Sequence, residues 1–414
     1  MAKLWKDVFH DSDQYISLIF SNYFDPSYVE YEEVDGEIVA GLIGIPYEFG
    51  NSEIRLKGLY LCRLATRPRF RSGGIMTRLL NNINEKAAEK GFAFTFLIPG
   101  DPGLRKYYHD RDYVNAFYRV VDNYTSLHNF DLEYDSLLAE QKDKVAALKK
   151  RYYDSLKPGF IDKNNDVSED ILGSLKELIR NIEERQLDLQ ILHTDKDLEN
   201  IVKENAISGG KIYYIKNGGE TISAVAFTSK SEDGVNVHKL YTADPASKYK
   251  VLGAIKNDEP ELGIHLYVPS IEMDRNALWS RTYGSFMPES PQVATISITE
   301  RIYSLAAHAK MYGMARILNL DEILKFQAAQ RHDLRYSLLV KSSDAYTIEH
   351  IEAKNGEVSI KKLPVNSIDP SKLAYVMSRR DVSEILFRRR DTDNLITEAF
   401  GIPSINGSIS LMFD

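Results

Sequence analysis

Arg63-Leu64-Ala65-Thr66-Arg67-Pro68-Arg69-Phe70-Arg71-Ser72-Gly73-Gly74-Ile75-Met76 is the stretch from which the fold can be read. An apolar strand, Leu59 to Ala65, breaks at Pro68 and passes through Arg71, Ser72, Gly73 and Gly74. It then runs into an amphipathic helix carrying Ile75, Met76, Leu79, Leu80, Ile83 and Ala87 at helical spacing. Glycines at a helix start let backbone N–H groups approach an anion, and the helix dipole adds positive potential there. Arg71 is placed to add a charge-assisted contact. The local expectation is a pyrophosphate cradle. The Gly-Lys-Ser/Thr ending of nucleotide hydrolases and the Gly-x-Gly-x-x-Gly of dinucleotide folds are both missing.

Outward from the cradle, residues 1–122 read as one α/β unit. Asp11 and Ser12 offer a cap for a helix with Tyr15, Ile16, Ile19 and Phe20 on one face. Asp35-Gly36 separates two strand-like runs, Tyr28 to Val34 and Glu37 to Phe49, a strong hairpin signal. After the cradle helix come a strand over Phe92 to Ile98, a short helix over Gly103 to Arg111 and a strand over Asn115 to Val121.

Residues 123–292 read as a second copy. Asn217-Gly218-Gly219-Glu220 echoes the first hairpin turn, and Leu240-Tyr241-Thr242-Ala243-Asp244-Pro245 echoes Leu64 to Pro68. Lys248-Tyr249-Lys250-Val251 then takes the place of Arg71 to Gly74, and the Val251 side chain is expected to exclude a phosphate. Residues 293–414 form a third unit, with strands over Ser337 to Lys341, Ala345 to Ala353 and Glu357 to Lys361. Helices are expected over Leu373 to Met377 and Val382 to Arg388.

With 414 residues, 43% hydrophobic and 27% charged, the composition is that of a soluble globular protein of several domains. A net charge of -8 with interspersed signs disfavours a nucleic-acid surface. The single cysteine, Cys62, precludes an internal disulfide, and the histidines show no metal-ligand spacing. No apolar run approaches a membrane span and no signal pattern precedes residue 13, so a cytoplasmic location is expected.

Arg71-x-x-Gly74-x-Met76 after a strand resembles the acyl-CoA signature of the GNAT superfamily of N-acetyltransferases, Met76 replacing a smaller residue. The enhanced-intracellular-survival (Eis) group tolerates a large residue there. Met314-Ala315-Arg316-Ile317-Leu318-Asn319-Leu320-Asp321 and the apolar carboxy-terminal end resemble that group's sterol-carrier-protein-like domain. The resemblance implies tandem GNAT folds, each a mixed, mostly antiparallel sheet flanked by helices, followed by an α+β domain. It implies acetyl-CoA gripped at Arg71, Ser72, Gly73, Gly74, Ile75 and Met76, with the backbone of Leu64, Ala65 and Thr66 along the pantetheine arm. An N–H of that strand would polarise the acetyl carbonyl.

Lys106-Tyr107-Tyr108-His109-Asp110-Arg111-Asp112-Tyr113 resembles the family's acid motif, which puts Tyr108 at the proton-donor position and Asp112 where Gly is usual. The resemblance also implies that the terminal carboxylate, here on Asp414, enters the first unit as base. The acceptor would be a primary amine, aminoglycoside-, polyamine- or lysine-like, and the enzyme a homo-oligomer, as large as a hexamer. Two other readings stay open. One is a non-catalytic protein binding acyl-CoA or an apolar ligand; the other is a peptidoglycan-bridge-type aminoacyltransferase.

Overall fold

The structure, a computed structural model, describes residues 1–139, 144–163, 167–185, 189–219, 221–269, 310–342, 344, 346–373, 376–388, 402–405, 407–409 and 411. The first unit opens with α1 (Ala2–Phe9) and α2 (Asp13–Asn22), followed by β1 (Val29–Val34), β2 (Glu37–Gly50) and β3 (Arg55–Thr66). Ser12 caps α2 by accepting from the Tyr15 N–H, which satisfies a donor the helix cannot use. Asp35 and Gly36 both have positive φ, as a two-residue hairpin turn requires. Then come α3 (Ile75–Glu89), β4 (Phe94–Leu97), α4 (Pro102–His109) and β5 (Val114–Tyr124). Leu79, Leu80, Ile83 and Ala87 form the buried face of α3. The sequence reading omits α1, which buries Leu4 and Trp5.

The second unit comprises α5 (Phe130–Ala139), α6 (Lys144–Ser155), β6 (Lys157–Ile161), α7 (Glu169–Glu183), β7 (Leu189–Leu192), α8 (Asp195–Ile207) and β8 (Lys211–Lys216). It continues with β9 (Ile222–Lys230), β10 (Gly234–Thr242), α9 (Pro245–Asp258) and β11 (Gly263–Pro269). Its pairings repeat those of the first unit. β1–β2 and β2–β3 are antiparallel and β3–β4 parallel; β8–β9 and β9–β10 are antiparallel and β10–β11 parallel. The two units are tandem copies of one mixed α/β topology, joined where β11 pairs antiparallel with β5.

After residue 309 the chain forms β12 (Lys310–Ile317), α10 (Leu320–Gln330), β13 (Arg335–Lys341), β14 (Thr347–Lys354) and β15 (Glu357–Pro364). It ends with α11 (Pro370–Leu373), α12 (Arg379–Leu386) and β16 (Gly407–Ser408). β12 returns to the first unit and lies antiparallel to both β4 and β5. β13, β14 and β15 form a separate meander. Of the helix expected over Leu373 to Met377, Leu373 ends α11 and Ala374 and Tyr375 lie outside the described residues, while the expectation for Met377 is corrected. The Met377 N–H donates to the Leu339 carbonyl at 2.8 Å and its own carbonyl accepts from the Lys341 N–H at 2.8 Å, so Met377 extends the β13 edge. Extended backbone there also sets Ser378 to cap α12 through the Asp381 N–H. The expected boundary between residues 292 and 293 lies outside the described residues.

β2, β3, β4, β12, β5, β16 and β7 pair in sequence to form a closed ring. Its interior holds Phe49, Phe94, Phe96 and Phe117, of which Phe94 and Phe117 meet Phe387 just beyond α12. Closure leaves no free edge on this part of the sheet. It also holds β3, β4 and β5 in fixed register beneath the cradle.

Candidate active site

The site begins where two strands part. β3 and β4 are in register from Gly58↔Phe94 to Tyr60↔Phe96, and β4 ends at Leu97. β3 continues to Thr66, so Leu61 to Thr66 run on past that register and open a groove. On its other side β3 stays paired with β2, but Ile43↔Cys62 is followed by Gly41↔Ala65, one extra residue on β3. Arg63 takes up that bulge at φ +55, which re-aims the backbone around it.

A left-handed arginine is costly unless its side chain is tied down. Arg63 donates to Asp11 Oδ1 at 3.2 Å and to the Tyr15 hydroxyl, and its guanidinium lies 4.6 Å over the Tyr15 ring and 5.4 Å over the Phe9 ring. Burial raises the Asp11 carboxyl, Arg63 opposing, and burial pushes the Cys62 thiol up to about 12. Glu204 of α8, in the second unit, also bears electrostatically on Tyr15, Tyr23 and Cys62. Neither Arg63 nor Glu204 stands out in the sequence, because a bulge is a property of cross-strand register.

Beyond Thr66 the connection is folded on itself. Arg67 is held by Asp7 and Glu37, the Phe70 N–H returns to the Arg67 carbonyl at 2.9 Å, and Arg71 Nε donates to the Thr66 carbonyl at 3.0 Å. Ser72 and Gly74 are left-handed, at φ +67 and +75. Gly74 is the N-cap of α3, and among the described residues no side chain caps that helix. A Cβ at Gly74 would meet nothing within 4 Å, so φ and not crowding selects glycine, and the space before the helix is open. Arg71, Ser72, Gly73 and Gly74 are exposed, while Leu64, Ile75 and Met76 are half-buried against the cluster that contains Tyr108. Free N–H groups, the positive end of α3 and a nearby guanidinium fit a pyrophosphate.

Tyr108 lies on α4 in the apolar cluster with Leu59, Leu61, Leu79 and Met314, edge-on to Tyr107 and Tyr113 at 5.4 and 5.9 Å. Burial first, then Tyr113, Tyr107 and Asp101, raises its phenol well above the usual range. The turn after it forms with aspartate in place of glycine. Asp112 adopts φ +63, and the Tyr113 N–H reaches the Tyr108 carbonyl at 3.2 Å. The fully buried Tyr113 ring fixes this turn by bonding Thr95 and Asn84 at 3.1 and 3.2 Å. Arg111 stacks 3.5 Å over Tyr107 and donates to Thr77 Oγ1 at 2.7 and 3.0 Å, tying α4 to α3. His109 points instead to Arg380 and Glu384 of α12.

Asp414 lies outside the described residues. The segment leading to it enters the ring, where Gly407 pairs with Phe117 of β5 and Leu189 of β7. A Cβ on Gly313 of β12 would stand 2.9 Å from Ile409 Cδ1 and 3.3 Å from the Leu97 carbonyl. Ile409 is therefore beside the end of β4, and Leu411 is buried.

In the second unit, the expected equivalence of Lys248 to Val251 with the cradle is corrected. Those residues lie within α9, which starts at Pro245, and Val251 is a buried core residue. The helix start is closed by Asp244. Its carboxylate accepts from the Ser247 N–H at 2.8 Å, the Ser247 hydroxyl at 2.9 Å and the Tyr152 hydroxyl at 3.0 Å.

Residues 1–115 match the family model for the acetyltransferase (GNAT) domain. No curated protein matches the chain. Among solved structures, the chain is similar to a protein of unknown function from Enterococcus faecalis described as a probable N-acyltransferase. That match has a TM-score of 0.59 at 10% identity, over 96% of this chain and 88% of that one. A GCN5-related N-acetyltransferase from Anabaena variabilis has a TM-score of 0.61 at 11% identity, over 93% and 86% of the two chains. Eis1 from Mycobacterium abscessus has a TM-score of 0.50 at 11% identity, over 87% and 82%. At such identities the likeness is one of fold.

Proposed function

We propose that this chain, whose residues 1–115 are a GNAT acetyltransferase domain, transfers acetyl from acetyl-CoA to a primary amine. The observation that carries the reading is the uncapped start of α3 at Gly74, opening onto the stretch of β3 that runs past β4. Arg71, Ser72, Gly73, Gly74, Ile75 and Met76 would hold the pyrophosphate, and the backbone of Leu64, Ala65 and Thr66 would line the pantetheine arm. When bound, acetyl-CoA supplies an activated acyl group. A strand N–H near the Arg63 bulge is fixed before reaction, so it stabilises developing negative charge on the carbonyl oxygen without reorganisation.

Tyr108 is the acid in this reading. Its raised pKa keeps the phenol protonated at any physiological pH, and it also makes the proton harder to give up. Transfer is therefore coupled to charge arriving on sulfur in the same apolar surroundings, where a thiolate is destabilised as well. The carboxylate of Asp414, directly or through a water, takes the proton of the ammonium. The entry of Gly407 to Ile409 into the first unit's ring supports this role. The proposed acceptor is a cationic amine of the aminoglycoside, polyamine or lysine kind. The reading extends to a cytoplasmic homo-oligomer whose last unit is sterol-carrier-protein-like. No described helix is long and apolar enough to cross a membrane.

The test is thiol release from acetyl-CoA against a panel of amines, for the native chain and for one extended by a single alanine after Asp414. Turnover that the extension destroys supports both the reaction and the base. Turnover indifferent to it keeps the reaction and removes Asp414 as base. Absence of turnover together with absence of acetyl-CoA binding overturns the reading.

A further inference from the structure

The last unit reaches the helix that carries Tyr108. Residues 314 and 316 lie on one face of β12, because side chains alternate along a strand. Met314 is buried in the apolar cluster that contains Tyr108. Two residues on, Arg316 is in register with Thr95 of β4, whose hydroxyl meets that of Tyr113 at 3.1 Å. The Arg316 guanidinium donates to the Arg111 carbonyl at 3.4 Å and lies 3.8 Å from Asp112 Oδ2. The Asp112 carboxylate is exposed, so this ion pair adds little and the principal hold is on the carbonyl.

That carbonyl belongs to a turn that needs holding. After α4 the Arg111 and Tyr113 N–H groups both return to the Tyr108 carbonyl, at 2.8 and 3.2 Å. The chain makes this turn through Asp112 at φ +63. A residue with a Cβ is strained there and persists only when its surroundings over-determine it. Carbonyls at a helix end lack a partner within the helix, and a cation beside them complements the helix dipole. Arg316 meets both needs. The Arg111 side chain is meanwhile tied to Thr77, in the first turn of α3. The Arg111–Asp112 turn is thus the junction of the helix that carries Tyr108, the cradle helix and the last unit. α12 of that unit touches α4 as well, where Glu384 Oε1 stands 3.3 Å from His109 Nε2.

We infer that Arg316 is a positioning residue for Tyr108. By holding the Arg111 carbonyl it keeps Asp112 left-handed, so a side chain of the last unit seats the phenol of the first. An aspartate can then occupy a position whose φ favours glycine. The catalytic consequence rests on the proposed acid role of Tyr108, whereas the seating of the ring does not.

The experiment uses the full chain with 3-fluorotyrosine at position 108 alone, read by fluorine NMR, beside acetyl transfer by the unlabelled chain. The variants are Arg316→Met, Arg316→Lys and each of these combined with Asp112→Gly. In Arg316→Met the fluorine resonance should shift or broaden. In the same variant kcat should fall roughly tenfold, the value of one charge-assisted hydrogen bond, with KM for acetyl-CoA unchanged. Arg316→Lys keeps the stem and the charge without the fork and should fall between the two. It keeps the test decisive if Arg316→Met does not fold. The diagnostic readout is rescue. Glycine adopts positive φ unaided, so adding Asp112→Gly should restore the resonance and most of kcat. An arginine that only stabilised the fold would not be rescued in this way. An unchanged resonance in both Arg316 variants, or double variants no better than the single ones, would overturn the inference. A displaced resonance with native kcat would remove the acid role of Tyr108 and leave its seating by Arg316 supported. If the native chain transfers no acetyl group, the resonance alone decides, which separates failure here from failure of the proposed reaction.

Discussion

The β3–α3 connection and the β10–α9 connection start from the same topology and end with opposite chemistry. In the first, residues 67–74 separate strand from helix, two of them are left-handed, and no described side chain caps α3. In the second, only residues 243–244 intervene, and Asp244 caps α9. Both keep the strand separation and the bulge: β10 runs on past its register with β11, and His238 is the extra residue opposite β9. The comparison teaches that the proposed anion site resides in the connection and its cap, while the sheet beneath can be copied without it. A capping carboxylate satisfies the same N–H groups that a phosphate would, so stability and ligand binding are alternative uses of one helix end.

Four variants break or sharpen that contrast. The largest effect is expected from Tyr108→Phe, which removes the proposed acid from the first unit. Turnover should fall by about 10² to 10⁴, as loss of general acid catalysis does, with acetyl-CoA binding preserved in calorimetry. Next is Gly74→Glu, which gives the first connection the carboxylate that the second carries. Like-charge juxtaposition costs several kcal/mol, so acetyl-CoA affinity should drop on the order of a hundredfold or more.

A smaller effect concerns His238. Its pKa is depressed from the ordinary 6.5 to about 4, so the native state prefers the neutral ring and the unfolded chain binds the proton first. Its stabilisation is complete above pH 6.5 and is lost as the pH falls towards 4, about 2 kcal/mol by pH 5. Urea titrations should show that His238→Gln flattens this acid limb. The smallest effect is expected from Asp244→Ala. It should cost about 1 kcal/mol in the same titrations, the value of a helix cap, and acetyl-CoA binding at the first connection should not change.

Much of this contrast was legible in the sequence. The Asp35-Gly36 hairpin, the α3 face and the cradle glycines are local signals, each set within a few residues by turn chemistry or helical spacing. The Tyr108 to Tyr113 turn was legible by resemblance, and the structure shows how Asp112 is accommodated, through the buried Tyr113 hydroxyl. What could not be read depends on distant partners. β12 completes the first sheet from 186 residues beyond the end of β5 (124 to 310), and the two-residue β16 has no periodicity to recognise. The Arg63 bulge is defined only once β2 is beside it. The placement of Val251 failed for a related reason. Strand echoes align the two units well up to Thr66 and Thr242, but the second connection is six residues shorter, so matching past that point lands inside a helix.

The most direct test of the account is a calorimetric titration of the chain with acetyl-CoA, read for stoichiometry in three proteins: native, Gly74→Glu and Asp244→Ala. The account predicts one site per chain in the native protein, none in Gly74→Glu and one in Asp244→Ala. Two sites in the native chain, or an undiminished site in Gly74→Glu, would contradict the claim that the first connection alone makes the anion cradle.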